Sequence, residues 1–579
     1  MIPSANNLRS TLGLTKASSW VAAFLCSCLL FSSCRSQEPC PSEKLQPHPQ
    51  ELLRVALSDG PHTLDPRLTN DPSTLALLHL LYEGLTRLNE EGKPVLALAR
   101  SIDTSPDGKI YTVKLRESYW NNGDKVIAQD FAYGWKSMLH PLFETTNAEQ
   151  LYPLRLARRA REGDAFVDAV GIDALDQETL VIELEEPLPD FLKRLASPFF
   201  YPVNSRWIQQ QDWQAKEKEG VRPQEIPTNG PFSLRQWERG ELLKLVKNDH
   251  YWDEKAVLLD QVELIYSDPE SSLKLFELDE LDWVGSPFSS IPSDQLGSLR
   301  DRGCINQSAA ALIVEFLRFN TKRPPLNNEK LRQALSLAID RKEIVDKVLH
   351  GGQLPATGFV PTQFALQPTP LLPEQGDRSK AWLLFKQAMQ EMGMTSQELP
   401  SLRLCYAPRT EEEAMAQLIK EQWQRQLQIE VTLLPCSEKP WPNESDISFG
   451  SWRAQVEDPL AFLSLFAYRD EMTNSTGWSH KGYRELLQQA AATVSAEERQ
   501  KLLAQAEVDL LVAMPIAPLF QSRYNAMAKR RVEQAWISPL GYLELKEAGL
   551  RHYTIDFQEA PKEKPIEETA PTPFLDRRP

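Results

Sequence analysis

Mixed α/β lobes are the architecture this sequence predicts, on three observations. Short runs of alternating apolar and polar residues are scattered along most of the chain, each the mark of a half-buried strand. Between them lie longer stretches with apolar residues at helical spacing and capping residues at their starts. Around Leu402, Glu411–Leu427 and Ile429 the order is strand, helix, strand, which reads as a βαβ unit. With 579 residues the chain exceeds one typical domain, so two or three lobes are expected.

Taken in order, Lys109–Leu115 places Tyr111, Val113 and Leu115 on one face of a strand. Thr179–Leu184, Leu242–Val246, Val262–Tyr266 and Leu312–Phe319 read as further strands. Glu329–Leu349 reads as one helix: Leu331, Leu335, Ala338, Ile339, Val345, Val348 and Leu349 form its stripe. Asn328 stands where a cap is needed and Gly351 where a helix can end. Another helix starts at Ser495, whose spacing to Glu498 makes a capping box ahead of Leu502, Leu503, Ala506 and Leu510. No repeat of about 20–50 residues is visible, which argues against solenoids and propellers.

The ends differ in character from this middle. Arg9 and Lys16 precede an apolar run from Trp20 to Phe31, followed at once by Ser32, Ser33 and Cys34. That is the layout of a secretory signal, and the run is short of the roughly 20 residues of a membrane span. Leu30–Cys34 also resembles a bacterial lipobox, which makes Cys34 the candidate lipidation site. Cys26 and Cys28 are rivals, but they sit within the apolar run. The plain alternative is a cleaved signal with an incidental cysteine; either reading puts the mature chain outside the cytoplasm. Gln37–Gln50 carries Pro39, Pro41, Pro47 and Pro49 among polar residues and reads as a tether. Past about Phe557 the chain turns to Pro and Glu and reads as a solvated tail. Cys40, Cys304, Cys405 and Cys436 would survive cleavage in a compartment that permits disulfides. Cys405 and Cys436 flank the βαβ helix and are possible sheet neighbours, but spacing leaves the pairing open.

Composition narrows the function. The formal charge of −16 argues against a nucleic-acid partner, which requires a dominant basic surface. There is no Gly-x-Ser-x-Gly elbow, His-Glu-x-x-His, Walker loop or Gly-x-Gly-x-x-Gly. The eight histidines are scattered, with no pair at metal-ligand spacing, so each reads as a surface or packed residue, and no metal or other cofactor is expected. A Ser–His–Asp triad is assembled in space and leaves no local mark, and nothing nominates one here.

A binding pattern is present instead. Ser105–Arg116 is a Pro-Asp-Gly turn leading into a strand; Trp120–Phe131 follows, with an Asn-Gly turn and then Ala128-Gln-Asp-Phe131 opening a helix. This combination resembles the family 5 bacterial solute-binding proteins, the oligopeptide- and dipeptide-binding group. Further matches run in family order: Thr63–Pro66, Tyr82–Leu85, Glu186-Pro187 with Phe191, Thr228–Phe232, Tyr251-Trp252, and Phe319-Asn320 ahead of Pro325-Leu326. Leu331–Arg341, Val360-Pro361 and Trp452 through Asp458-Pro459 complete the series, so the resemblance spans about residues 50–555. It implies an α/β clamshell of the periplasmic-binding-protein type II class, with three lobes, mixed sheets and a hinge. On that pattern residues 1–33 are the signal peptide and 34–50 the tether. Residues 51–70, 193–311 and 526–556 form a discontinuous first lobe, 71–192 an inserted second lobe, 312–525 the third, and 557–579 the tail.

The resemblance also implies a binding protein rather than an enzyme. It holds an extended peptide by main-chain bonds and hands it to the permease and ATPase subunits of an ABC transporter. Its other expected partner is a membrane, reached through the lipid anchor, and the chain itself is expected to be a monomer. Same-fold alternatives are a protein for another solute (a sugar, a metal chelate, a cell-wall or modified peptide) or a surface sensor or adhesion protein. Carried over by position, Tyr133 falls on the family's cleft tyrosine and Trp452 on its cleft tryptophan, while Ser451 and Arg453 flank the latter where backbone meets ligand. Packing in a core is the plain alternative for both aromatics. Trp441 is a weaker aromatic candidate.

The departures are informative. Where relatives place an Asp for the peptide's α-ammonium, this chain has Gln455, which offers a carbonyl oxygen without charge. The acid that often precedes Thr-Leu-Asp-Pro is Gly60 here, with Asp59 beside it. The arginine of the oligopeptide branch is Phe449. Unless Asp59 or Glu457 serves, weak discrimination for a free amino end is expected. Asp458, within the recurrent Asp-Pro pair, reads as structural.

Overall fold

In the computed structural model, residues 51–210, 225–408, 410–436, 445–468, 474–493 and 495–551 are described. The signal, Cys34, the tether, Trp441 and the tail lie outside these residues.

One large sheet organises the molecule. Its strands run Val431–Pro435, Leu402–Tyr406, Ile447–Arg453, Gln307–Phe319, Ile516–Ala528, Trp283–Gly285, Leu52–Leu57, Gln261–Tyr266, Leu242–Lys247 and Phe232–Glu238, with Leu354–Pro355 joining as a branch on Ile516–Ala528. Leu402–Tyr406 and Val431–Pro435 are parallel, with the helix Thr410–Leu427 between them, which is the expected βαβ unit. Cys405 and Cys436 form a disulfide across these two strands. A separate antiparallel sheet of four strands, Ala99–Thr104, Ile110–Leu115, Thr179–Glu183 and Ile172–Ala174, makes the small lobe.

Two strands of 13 residues each, Gln307–Phe319 and Ile516–Ala528, lie side by side at the middle of the large sheet. They serve two cores. Ala311, Ile313, Tyr524 and Ala526 pack with Leu53, Val55 and the small lobe's Val113 and Ile182. Leu312, Val314, Phe316, Leu519 and Phe520 pack instead with Leu331, Phe359, Leu404 and Trp423. The strands therefore cross from one packed body to the other as a two-stranded hinge. The lobe boundaries expected at 311/312 and 525/526 fall inside these two strands.

The turn and bend motifs have physical reasons. Gly108 has φ +71 and its N–H donates to Ser105 O at 2.9 Å, so the Pro-Asp-Gly turn needs glycine there. Trp120 is fully buried and its Nε1 donates to Asp130 Oδ2 at 3.0 Å. Asp130 also accepts from the Ile127 and Ser205 backbone N–H groups and the Ser205 hydroxyl, fixing the start of the helix Ala128–Met138.

The expected continuous helix Glu329–Leu349 is corrected. A helix runs over Glu329–Leu337, capped by Asn328 as expected, then the chain breaks and restarts at Arg341–Ile344, continuing as a π-helical turn over Val345–Leu349. Asp340 Oδ1 caps the restart by accepting from Glu343 N–H at 2.8 Å. The apolar stripe continues across the break, which is why periodicity concealed it. His350, at φ 56, rather than Gly351, takes the left-handed position at the end. Arg341, with no exposed surface, donates to the carbonyls of Pro518, Ser336 and Ile339 and to the Ser336 hydroxyl. It thereby ties the broken helix to a hinge strand.

A buried polar cluster closes the first core. His79 Nε2 lies 2.7 Å from Glu544 Oε1, and His79 Nδ1 2.7 Å from the Tyr201 hydroxyl. Arg87 donates to both Glu544 Oε2 and Glu83 Oε2, and the Tyr251 hydroxyl donates to Glu83 Oε2. Burial opposes ionisation of Glu544, but His79 and Arg87 outweigh it and hold that carboxyl at about 2.

Candidate ligand cleft

The strand Ile447–Arg453 is paired along its full length on one side, from Ile447↔Phe319 to Arg453↔Ile313. On its other side Leu402–Tyr406 reaches only Ile447 and Ser448. From Phe449 to Arg453 that edge has no strand partner among the described residues. An open edge of this kind presents N–H and C=O groups to an incoming extended chain.

Side chains alternate across it. Ser451 and Arg453 share a face with Glu315 and Ile313, whereas Trp452 lies on the opposite face with Val314. Ser451 is exposed, and its hydroxyl donates to Glu315 Oε1 at 2.6 Å. Arg453 Nη1 donates to the Tyr524 hydroxyl at 2.6 Å, so it bridges to the neighbouring hinge strand. Trp452 is half-buried against the second core, and its Nε1 donates to Ala461 O at 2.8 Å. At Gly450 a Cβ would lie 2.7 Å from Arg318 Nε, so only glycine lets that guanidinium lie over the strand.

Glu315 is the residue the sequence reading passed over. Burial dominates its surroundings and pushes the carboxyl up to about 7, against the opposing pull of Ser451, Arg453 and Arg318, with Glu412 adding to the rise. The available signal was a glutamate in the middle of the apolar run Leu312–Phe319.

The other candidates fall into place around this edge. Gln455 is half-buried between buried Ala454 and Val456 and makes no hydrogen bond among the described residues. Glu457 is committed elsewhere: its Oε2 lies 3.8 Å from Lys193 Nζ and packs over Gly92, where a Cβ would come within 2.2 Å of it. Asp458 Oδ1 accepts from the Leu460 N–H at 2.7 Å, ahead of the short helix Leu460–Leu463, and pairs with Arg499 at 2.8 Å, the structural duty expected of it. Asp59 is exposed beyond the end of Leu52–Leu57. Beside it, a Cβ on Gly60 would meet the Tyr266 hydroxyl at 1.7 Å; the Tyr266 ring fills the place of the missing acid. Tyr133 lines an open depression of about 700 Å³ together with Lys136, His140, Leu142 and Phe166. No hydrogen bond or ring contact among the described residues joins it to Trp452 or Arg453.

The family model for bacterial extracellular solute-binding proteins, family 5, matches residues 93–474. The chain belongs to that family. The oligopeptide-binding protein OppA of Bacillus subtilis is 32% identical over 81% of this chain and 87% of its own length. The dipeptide-binding protein DppE of the same organism is 30% identical over 87% and 93%. The unliganded open form of the murein tripeptide-binding protein MppA of Escherichia coli superposes with a TM-score of 0.72 at 26% identity, over 87% of this chain and 98% of that one. The type II clamshell expected from the sequence is therefore the fold, and a family 5 member binds solute without transforming it. Among the described residues there is no group of three or more His, Cys, Asp or Glu placed to hold a metal ion. No described helix is long and apolar enough to cross a membrane.

Proposed function

We propose that this family 5 protein captures peptides outside the cytoplasm, in a cleft that closes about the two hinge strands, and delivers them to an ABC importer. The observation that carries the reading is the open strand edge from Phe449 to Arg453 at the junction of the two cores. Main-chain pairing along such an edge gives affinity without reading side chains. Ser451, Trp452 and Arg453 line that edge in the proposal, with Gln455 just beyond it and Tyr133 contributed from the small lobe. The relatives named for oligopeptide and dipeptide binding cover most of their own length in the match, which supports the same ligand class here. We further propose the lobe division at 51–70, 193–311 and 526–556 for the first lobe, 71–192 for the second and 312–525 for the third. Closure then stabilises the ligand through contacts to both bodies.

The test is mass spectrometry of ligand released from protein purified under native conditions. Peptides of mixed sequence are the expected result; a sugar or metal chelate at stoichiometric occupancy would overturn the reading. In the same proposal Cys34 is acylated and holds the protein at a membrane surface. Fractionation of Cys34→Ser protein with Cys26 and Cys28 intact should then release it to the soluble fraction, and full retention at the membrane rejects the anchor.

A further inference from the structure

We infer that Glu315 is the carboxylate of an ammonium subsite beside the open strand edge, taking a cationic group of the bound peptide where Gln455 carries no charge. The inference rests on the peptide reading above. Glu315 lies directly across the strand pair from Ser451, one of the residues on the open edge, and on the same face as the exposed serine hydroxyl.

Its hydrogen bonding is incomplete. A carboxylate has about four acceptor positions, and the described residues fill one, through Ser451 Oγ at 2.6 Å. It has no ion pair among the described residues. The charged groups around it act at a distance and make their direct contacts with other groups. Arg453 donates to Tyr524. Arg318, on the opposite face, stands 5.6 Å from the centre of the Phe316 ring. Glu412, from the helix Thr410–Leu427, accepts from Ala407 N–H at 2.7 Å. The pull of Arg453 and Arg318 does not offset the burial of this carboxylate, which has no direct ion pair among the described residues. That is unfavourable, and an ammonium supplies both a contacting charge and three donors. Gly60, filled by Tyr266, and Glu457, held at Lys193, leave Glu315 as the sheltered acid with capacity to spare.

The proton balance gives the subsite a signature. Burial holds the free Glu315 carboxyl near 7, so below that pH it is largely protonated. Docking a cation requires the carboxylate: the O–H proton leaves to solvent and the ammonium takes its place. Affinity for a cationic ligand should therefore rise with pH up to about 7, by up to about tenfold per unit, and level off above it until the ligand's own ammonium loses its proton, at about 8 for an α-amino end and about 10 for lysine.

The experiment is calorimetry at pH 6 and pH 8, in buffers of different ionisation heat, with three probes. One peptide has a free amino end and neutral side chains, the second is its N-acetylated form, and the third is the acetylated form with one lysine. Wild-type protein should release protons at pH 6 on binding the first probe and favour it over the second by more than about tenfold at pH 8. Release with the lysine probe instead would place a side-chain ammonium, rather than the amino end, in the subsite. In Glu315→Gln the release should vanish and the gap between charged and acetylated probes narrow to about twofold. Ser451→Ala removes a hydrogen bond to the charged form and should move the wild-type pH dependence upward, a check independent of the glutamine variant. If wild type binds peptides without proton release at pH 6, or Glu315→Gln retains it, the subsite is overturned while the peptide reading stands. If wild type binds no peptide at all, both are overturned.

Discussion

Glu544 shows how a single side chain can hold two distant parts of the chain at a set protonation state. It lies 465 positions from His79 and accepts from both His79 and Arg87, which hold its carboxyl at about 2 against the opposing effect of burial. Replacing it by glutamine takes from the enclosed Arg87 one of its two carboxylate partners, with Glu83 remaining, which should cost less than the roughly 3–5 kcal/mol of a buried charge left wholly unpaired. Glu544→Gln should accordingly lower the urea midpoint at pH 7. Because the folded-state pKa lies below the ordinary value near 4.3, the stabilisation is fully present above that ordinary value and is lost as pH falls toward 2. Urea titrations at pH 7, 4 and 3 should thus show wild type and variant converging as the solution is acidified. None of this cluster was legible in the sequence, since its members are joined only in space. Gln455, Gly60 and Phe449 were legible as departures, because a resemblance fixes what ought to stand at each position. What replaced the missing acids was not, because Tyr266 and Glu315 reach the site from other strands.

Among the elements, strands and the βαβ unit could be read from alternation and spacing, since each buries a face of regular period. The disulfide between Cys405 and Cys436 was open in the sequence and became determinate only once Leu402–Tyr406 and Val431–Pro435 proved to be adjacent. The strand Gln307–Phe319 begins five residues before the expected start at Leu312, because its first part carries Ser and Ala against the neighbouring hinge strand. The broken helix was missed although it left a mark: Asp340 and Glu343 stand at capping distance within the stripe. Asp340 is held there from both sides, its N–H donating to Gln422 Oε1 at 2.9 Å and its carbonyl accepting from Gln422 Nε2 at 3.2 Å. Asp340→Ala removes the cap and should cost about 1 kcal/mol, whereas Asp340→Asn should retain most of it. Equilibrium unfolding of the two variants checks the difference; equal losses would mean that the restart depends on Gln422 alone.

At the scale of the molecule, two bodies share one sheet, and the proposed closure would bend the strands that cross between them. Contacts at the rim limit how far the bodies can part without breaking bonds. Lys193 meets Glu457, and Asp190, paired with Arg194, faces Asp458 and Arg499. The first core has a different kind of dependence, on the order in which its pieces become available. Leu52–Leu57 needs Gln261–Tyr266 and Trp283–Gly285 beside it, and Trp283–Gly285 needs Ile516–Ala528. Leu550 N–H donates to Glu51 Oε2, 499 positions away, and Glu544 completes the polar cluster around His79 and Arg87. During synthesis at about 5–20 residues per second, the early strands wait on the order of a minute before these partners exist. For that interval Arg87 lacks its second carboxylate partner, Glu544, and although the small sheet is built from strands near one another in sequence, the first core is closed only by the last segment made. Until then that core has neither the strand Ile516–Ala528 beside Trp283–Gly285 nor the Glu544 carboxylate at its polar cluster.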